Sequence, residues 1–329
     1  MSRPDPHPFD KLSPDFILSA VDELGLRSDG RLLALNSYEN RVYQVGMEEG
    51  EPWVVKFYRP GRWSLVAIEE EQAFAVELAQ AELPVVAPVV INGRSLFGRD
   101  GFSFALYPRQ GGRWPELNQA ADRELLGRLL GRIHMLGRRY RFKHRPQLTI
   151  AAWAGEARRY LLEQNWIPDH LLPAYRSVSS ELIKLMQLEW DEFDDLQCLR
   201  LHGDCHLGNL LWLETTGFHF VDFDDCLTGP AIQDLWMLLS GTQFERAQQM
   251  RELLKGYCQF ADFDYRELAL IEILRTLRLM HYAAWLARRW DDPAFPLAFP
   301  WFTEPKFWEQ HVLDLREQLA AVQEPALEL

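Results

Sequence analysis

The chain of 329 residues is 47% hydrophobic and 25% charged, enough to bury a core in one large or two ordinary domains. Its 35 Lys and Arg against 48 Asp and Glu give a formal charge of −13, which disfavours nucleic acid and anionic membrane surfaces as partners, a local basic stretch such as "GRIHMLGRRYRFKHR" apart. No window reaches the ~18 uninterrupted apolar residues of a membrane span, and the opening "MSRPDPHPFDKLSPDF" has no apolar signal core.

In chain order, residues 1–11 read as a tail. "SPDFILSAVDELG" (13–25) opens with a helix-start signal, Ser13-Pro14-Asp15, and closes at Gly25. Residues 31–60 read as strands: "RVYQV" alternates, "MEEGEP" is a turn and "WVVKFY" is β-branched and aromatic. Residues 64–82 form an amphipathic helix, and 84–112 return to strands with Asn-Gly and Asp-Gly turns. Helical periodicity then covers 118–140, 151–165, 172–189, 231–240, 244–261, 265–290 and 305–321. Only "NLLWLETTGFHFVDFDD" (209–225) breaks it, as strand, turn and strand.

This pattern predicts an α+β, two-lobe architecture. Residues 1–30 are an N-terminal tail and helix, 31–110 a small β-rich lobe, and 111–329 a larger, mostly helical lobe holding one hairpin. A linker falls near Leu106–Gly112, and a ligand site is expected between the lobes. The four cysteines, Cys198, Cys205, Cys226 and Cys258, follow no CxxC or framework spacing, which fits a reduced, cytoplasmic setting. A monomer is expected.

The stretch "LHGDCHLGNLLW" (201–212) concentrates the chemistry, and three readings compete for it. His202, Asp204, Cys205 and His206 can all ligate a metal, but no second half with zinc spacing exists. Cys205 lies between Asp204 and His206, yet a catalytic thiol usually finds its histidine far away in the chain. The third reading is spacing: His202-x-Asp204-x₄-Asn209 has the form of a phosphotransferase catalytic loop. There Asp204 orients the acceptor hydroxyl and takes its proton, and the Asn209 amide oxygen binds Mg²⁺ without adding charge. Thirteen residues on, Asp222-Phe223-Asp224 supplies the carboxylate that clamps the metal, and the hairpin returns Asp222 beside Asn209. A lysine must also hold the nucleotide phosphates; Lys56 in "VVKFY" sits in an apolar strand, where burial without a partner is costly.

The segment "HGDCHLGN…VDFDD" resembles the signature of the aminoglycoside phosphotransferase and choline kinase superfamily, a branch of the protein-kinase-like fold. "LNSYENRVYQV", "VVKFYRP", "LRLHGDCHLGNLLW", "GPAIQDLWMLLSG" and "WDDPAFPLAFPW" resemble, more narrowly, the bacterial stress response kinase A family. The resemblance implies a cytoplasmic Ser/Thr protein kinase using ATP and Mg²⁺, with a protein acceptor, the enzyme itself being one candidate. A small-molecule kinase for choline, homoserine or an aminoglycoside-like alcohol is the alternative with the same catalytic residues. A nucleotide-binding module without catalysis is a third reading, opposed by the joint presence of Lys56, Asp204, Asn209 and Asp222.

Related families place the lysine's partner seven residues before a buried leucine, which selects Glu71 (with Leu78) and leaves Glu70 in reserve. The resemblance puts Ser37 near the γ-phosphate, although "LNSYENRVYQV" lacks the glycines of a protein-kinase loop. By position, Ala105, Leu106, Tyr107 and Pro108 are the adenine linker. Val42 and Val54 roof the base; Leu211 and Val221 form its floor. His134 and Asp234 are expected as scaffolding.

Overall fold

Local sequence signals set the element ends. In this computed structural model, which describes residues 8–193 and 195–329, the first helix, α1 (Pro14–Asp22), starts where the Ser13 hydroxyl accepts the Phe16 N–H at 3.2 Å. Strands β1 (Ser28–Ala34), β2 (Arg41–Met47) and β3 (Trp53–Phe57) follow, and then helix α2 (Leu65–Gln80), capped by Ser64. Strands β4 (Phe97–Arg99) and β5 (Phe102–Pro108) are joined by Asp100 and Gly101, both at positive φ, as an Asp-Gly hairpin turn requires.

Next come α3 (Ala120–Gly137), α4 (Glu156–Glu163), α5 (Leu172–Asp191) and the short β6 (Leu199–Leu201). The hairpin β7 (Leu210–Leu213) and β8 (Gly217–Phe220) precedes β9 (Leu227–Gly229). The chain closes with α6 (Gln233–Trp236), α7 (Gln243–Tyr257), α8 (Ile271–Arg288), α9 (Ala294–Ala298) and α10 (Pro305–Ala321).

Several expectations are corrected. Most of 84–96 stays irregular rather than forming strands, because Pro84 and Pro88 each lack an N–H for a ladder. The helix expected over 231–240 shrinks to the single turn α6 and ends before Gly241, at φ +85. The tail expected over 1–11 lies partly outside the described residues; its Phe9 is buried and stacks on Phe102 at 6.2 Å. The pairing of β6 with β9 has no counterpart in the sequence reading.

The chain forms two compact units. The first comprises residues up to Asn118 together with Arg141–Arg145 and His202–Cys226. The loop 202–209 and the hairpin after it, expected with the helical lobe, belong to the same unit as the β-sheet. That sheet is antiparallel with strand order β1-β2-β3-β5-β4. One face buries Val45, Val55, Phe57, Phe104 and Leu106 against Ile17 and Val21 of α1. Phe57 stacks on Phe104 at 5.2 Å, a contact worth about 0.5–1.5 kcal/mol beyond area burial. Directly opposed residues share a face. The register Val42↔Lys56↔Ala105 and Gln44↔Val54↔Tyr107 thus puts these side chains on the other face.

The second unit holds residues 119–140, 146–201 and 227–329 and is mainly helical. Helices α3 and α7 cross at Gly127, Gly131 and Gly256. A Cβ on Gly127 would run into the Leu253 carbonyl, and one on Gly256 into that of Glu124. His134 is a hydrogen-bonded core histidine as expected: Nδ1 lies 2.9 Å from the Tyr257 hydroxyl and Nε2 3.1 Å from Asp234 Oδ2.

Candidate active site

Lys56 leaves the middle of β3 on the face away from the sheet core and is 6% exposed. Its Nζ lies 3.0 Å from Asp222 Oδ1, 3.2 Å from Asp224 Oδ1 and 3.7 Å from Glu71 Oε1. Burial alone would lower the ammonium's pKa; the charges of Asp222, Asp224 and Glu71 outweigh it and hold it well above the ordinary value.

Three consecutive glutamates on α2 point in three directions, because each helical residue turns the next by about 100°. Glu69 faces solvent. Glu70 accepts backbone N–H groups from Lys143, His144 and Arg145 at 2.8, 2.7 and 3.0 Å. Glu71, 2% exposed, faces Lys56, and burial pushes its carboxyl up to about 7 against the opposing pull of the lysine. Tyr58 hydroxyl joins the same cluster, 3.3 Å from Glu71 Oε1 and 3.0 Å from the Tyr107 hydroxyl.

The hairpin carries Asp222 into place. Val221 N–H donates to the Asn209 carbonyl at 3.1 Å, and His202 Nε2 lies 2.9 Å from the Val221 carbonyl. Asp222 then adopts φ 59, ψ 72, a left-handed conformation costly for a residue with a Cβ, which reverses the chain toward Lys56. Phe223 packs under it, edge-on to Phe74 of α2 at 5.9 Å and 4.5 Å from the His202 ring. Arg145 braces the turn from behind. It donates to the carbonyls of Asp224 and Cys226 and lies over the Trp63 ring at 4.0 Å.

In the loop 202–209 Gly203, at φ +85, provides the turn that a side chain would resist. The Asn209 amide nitrogen donates to the Asp204 carbonyl at 2.9 Å and to Asp204 Oδ2 at 3.2 Å. His206 Nδ1 accepts the Gly208 N–H at 2.9 Å, and its Nε2 is 3.3 Å from Asp204 Oδ2. Cys205 is wholly buried, as a packing thiol rather than an accessible nucleophile.

Asp225 adds a further carboxyl. Burial raises its pKa, with Asp224, Asp204 and Asp222 adding repulsion and Arg62 opposing them. The donor chemistry suits a hard divalent cation. The Asp222 side chain is 54% exposed, and Asn209 commits its nitrogen to Asp204, leaving its amide oxygen for another partner. Two oxygen donors from protein are the usual share for magnesium, which takes the rest from phosphates and water.

Of the base contacts expected from sequence, Val42, Val54, Ala105 and Tyr107 share the Lys56 face. Leu106, expected as part of the backbone linker, turns its side chain into the sheet core, and its carbonyl accepts the Val89 N–H at 2.7 Å. Residues expected as a free linker, Ala105–Pro108, are the end of β5. The connecting segment follows it, and Arg113 pairs with Trp212 of β7, beside Leu211, through bonds of 3.1 and 2.7 Å. Ser37, half-buried, donates its hydroxyl to the Asn40 carbonyl at 3.1 Å. Asn40 is read from sequence only as a turn residue able to hydrogen-bond through its side chain; its pairing with Asp224, and the roles of Arg62 and Arg145, fall in segments without periodicity and were missed.

Residues 31–271 match the phosphotransferase enzyme family, and the chain belongs to that family as a member of its stress response kinase A group. It is a kinase with the aminoglycoside phosphotransferase-like fold. It is 46% identical over 321 residues to stress response kinase A of Escherichia coli O157:H7, a match covering 98% of this chain and 97% of the relative. It is 43% identical, with the same coverage, to serine/threonine protein kinase RdoA of Salmonella typhimurium.

Among solved structures, the fold is similar to that of amicoumacin kinase hAmiN in complex with AMP-PNP, Ca²⁺ and Ami. The TM-score is 0.73 at 20% identity, over 96% of this chain and 95% of that one. Choline kinase LicA from Streptococcus pneumoniae gives a TM-score of 0.65 at 12% identity, over 93% and 98%.

Proposed function

We propose that this kinase moves the γ-phosphate of ATP, bound with Mg²⁺, to a serine or threonine hydroxyl of a protein. The observation that carries this reading is the joint placement of two pairs. Asn209 is hydrogen-bonded to Asp204, and one residue beyond the Val221–Asn209 ladder bond Asp222 meets Lys56.

The magnesium nucleotide supplies the transferable phosphoryl group and the neutralised charge that such a reaction needs. Asn209 and Asp222 would hold the metal. Lys56, kept cationic by its carboxylates, would hold the phosphates, and Glu71 keeps the lysine in place. The loop before β2, with Ser37, would cover the phosphates through backbone N–H groups. Asp204 would align the acceptor hydroxyl and accept its proton, a role worth roughly 10²–10⁴-fold in rate. Val42, Val54, Tyr107, Leu211 and Val221 would line the base. The protein acceptor is supported by the relatives' names at 43–46% identity over nearly the full chain. A cytoplasmic setting is supported by four free cysteines, and no described helix is long and apolar enough to cross a membrane.

The test is γ-labelled ATP with a protein lysate on one side and a panel of choline, homoserine and aminoglycosides on the other. Label on protein, lost in Asp204→Ala, is expected. Label confined to a small alcohol would transfer the assignment to a small-molecule kinase, and turnover that survives Asp204→Ala would remove the catalytic assignment.

A further inference from the structure

The loop between β1 and β2 contains no glycine, and side chains hold it instead. Asn40, 4% exposed, accepts the Arg59 N–H at 3.0 Å and donates from Nδ2 to Asp224 Oδ2 at 3.1 Å. Arg41 Nη1 donates to the carbonyls of Tyr38 and Asn40 at 3.0 and 3.1 Å. Arg59 Nε donates to the Glu39 carbonyl at 2.9 Å. Arg41 and Arg59 hold the loop's backbone, and the Asn40 side chain ties it to Arg59 and to Asp224 in the turn after the hairpin.

Asp224 is the point where these ties meet. Its Oδ2 takes Asn40 and the Arg62 guanidinium, and its Oδ1 lies 3.2 Å from Lys56 Nζ. Arg62 also pairs with Asp225 and stands 3.8 Å from Glu39 in the loop. A carboxylate only 2% exposed survives burial only when cations and donors surround it. Here they come from three places at once: the loop, β3 and the segment before α2. Burial alone would raise its pKa; Lys56 and Arg62 override this and hold it well below the ordinary carboxylate range.

We infer that Asp224 is a positioning residue for the nucleotide phosphates, and that Asn40 and Arg62 are the two groups through which it fixes the glycine-free loop relative to Lys56. In a glycine-rich loop, backbone freedom lets amides close on phosphate. In this chain the loop is instead pinned to the metal-binding turn by a neutral amide and a guanidinium. The inference rests on the phosphotransfer reading above.

Equilibrium binding to the full-length protein, without added metal, tests it. Asn40→Ala changes no charge and leaves the ion pairs of Asp224 in place. It is expected to weaken ATP binding about tenfold, the scale of one hydrogen bond to a charged group, and to leave adenosine binding unchanged. In steady state the loss should fall on KM for ATP rather than on kcat. On an Asp224→Ala background, or on Arg62→Gln if Asp224→Ala does not fold, Asn40→Ala should add less than on the wild type. Wild-type ATP affinity in Asn40→Ala, equal weakening of ATP and adenosine, or full additivity would each overturn the inference. Asp222→Ala separates the two levels: if it keeps normal turnover, the phosphotransfer reading itself fails. If it is inactive while Asn40→Ala binds ATP normally, only the positioning role falls.

Discussion

Asn209 and Asp204, five residues apart, are locked to each other by two hydrogen bonds from one amide nitrogen, 2.9 Å to the carbonyl and 3.2 Å to the carboxylate. On the proposed reading, the same side chain would orient the base and keep its oxygen for a metal. Asn209→Ala should lower kcat by roughly 10²-fold, the cost of letting a reacting group drift by about 1 Å. It should also raise the magnesium concentration needed for half-maximal rate. Kinetics over a magnesium titration check both effects, and an unchanged magnesium requirement would contradict the metal role.

Glu71 makes stability depend on pH near neutrality. Its carboxyl is raised by burial to about 7 from an ordinary 4.5, so the folded chain holds this proton more tightly than the unfolded one. The resulting stability is complete below pH 4.5 and is lost as pH climbs to 7. Asp224 acts in the opposite sense: its depressed pKa stabilises the fold above pH 3.8, and that contribution fades only in stronger acid. Glu71→Gln mimics the protonated form. Melting temperatures between pH 5 and 8 should therefore fall less steeply for this variant than for the wild type; parallel curves would show that Glu71 does not titrate there.

Glu70, beside Glu71 in sequence, serves the architecture through the backbone N–H groups of residues 143–145. Glu70→Ala leaves three backbone N–H groups at 143–145 without their acceptor and should cost about 1–3 kcal/mol in unfolding free energy. Denaturant melts measure this. A loss below that range would mean that water replaces the carboxylate without penalty.

Gly112 follows β5 at φ +149, with the hairpin against it. A Cβ there would stand 2.9 Å from Leu213 Cδ1, 3.0 Å from Leu211 Cβ and 3.2 Å from the Trp212 carbonyl. Gly112→Ala should destabilise by about 1–3 kcal/mol through crowding. Because Leu211 is the expected floor of the base site, ATP and adenosine should both bind more weakly. A variant that melts and binds like the wild type would show that the segment shifts freely.

What could be read from sequence follows the range of the interactions. The spacing of His202, Asp204 and Asn209 is local, and a hairpin with a tight turn returns Asp222 by geometry alone. Lys56 stood out as one charge in an apolar strand. The choice of Glu71 over Glu70 needed a rule from related chains, because periodicity marks the buried face of α2 less sharply than the contacts do. That the Leu106 side chain turns into the sheet core follows from strand alternation, which the reading of Ala105–Pro108 as a backbone linker did not use. The pairing of Asn40 and of Arg62 with Asp224 was invisible: that partner is 184 and 162 residues away, and loops carry no period to signal such pairs.

The first unit is assembled from three separate stretches of chain, the last ending at Cys226. Translation runs at roughly 5–20 residues per second, so several seconds separate the emergence of its sheet from that of Asp222 and Asp224. Throughout that interval Lys56 and Arg62 have Glu71 and Glu39 but not yet their aspartates, so the pair of cations carries only part of its counter-charge. On the proposed reading the group that holds the magnesium nucleotide is completed late, and a chain stalled before Asp222 would carry the sheet, Lys56 and Glu71 without it.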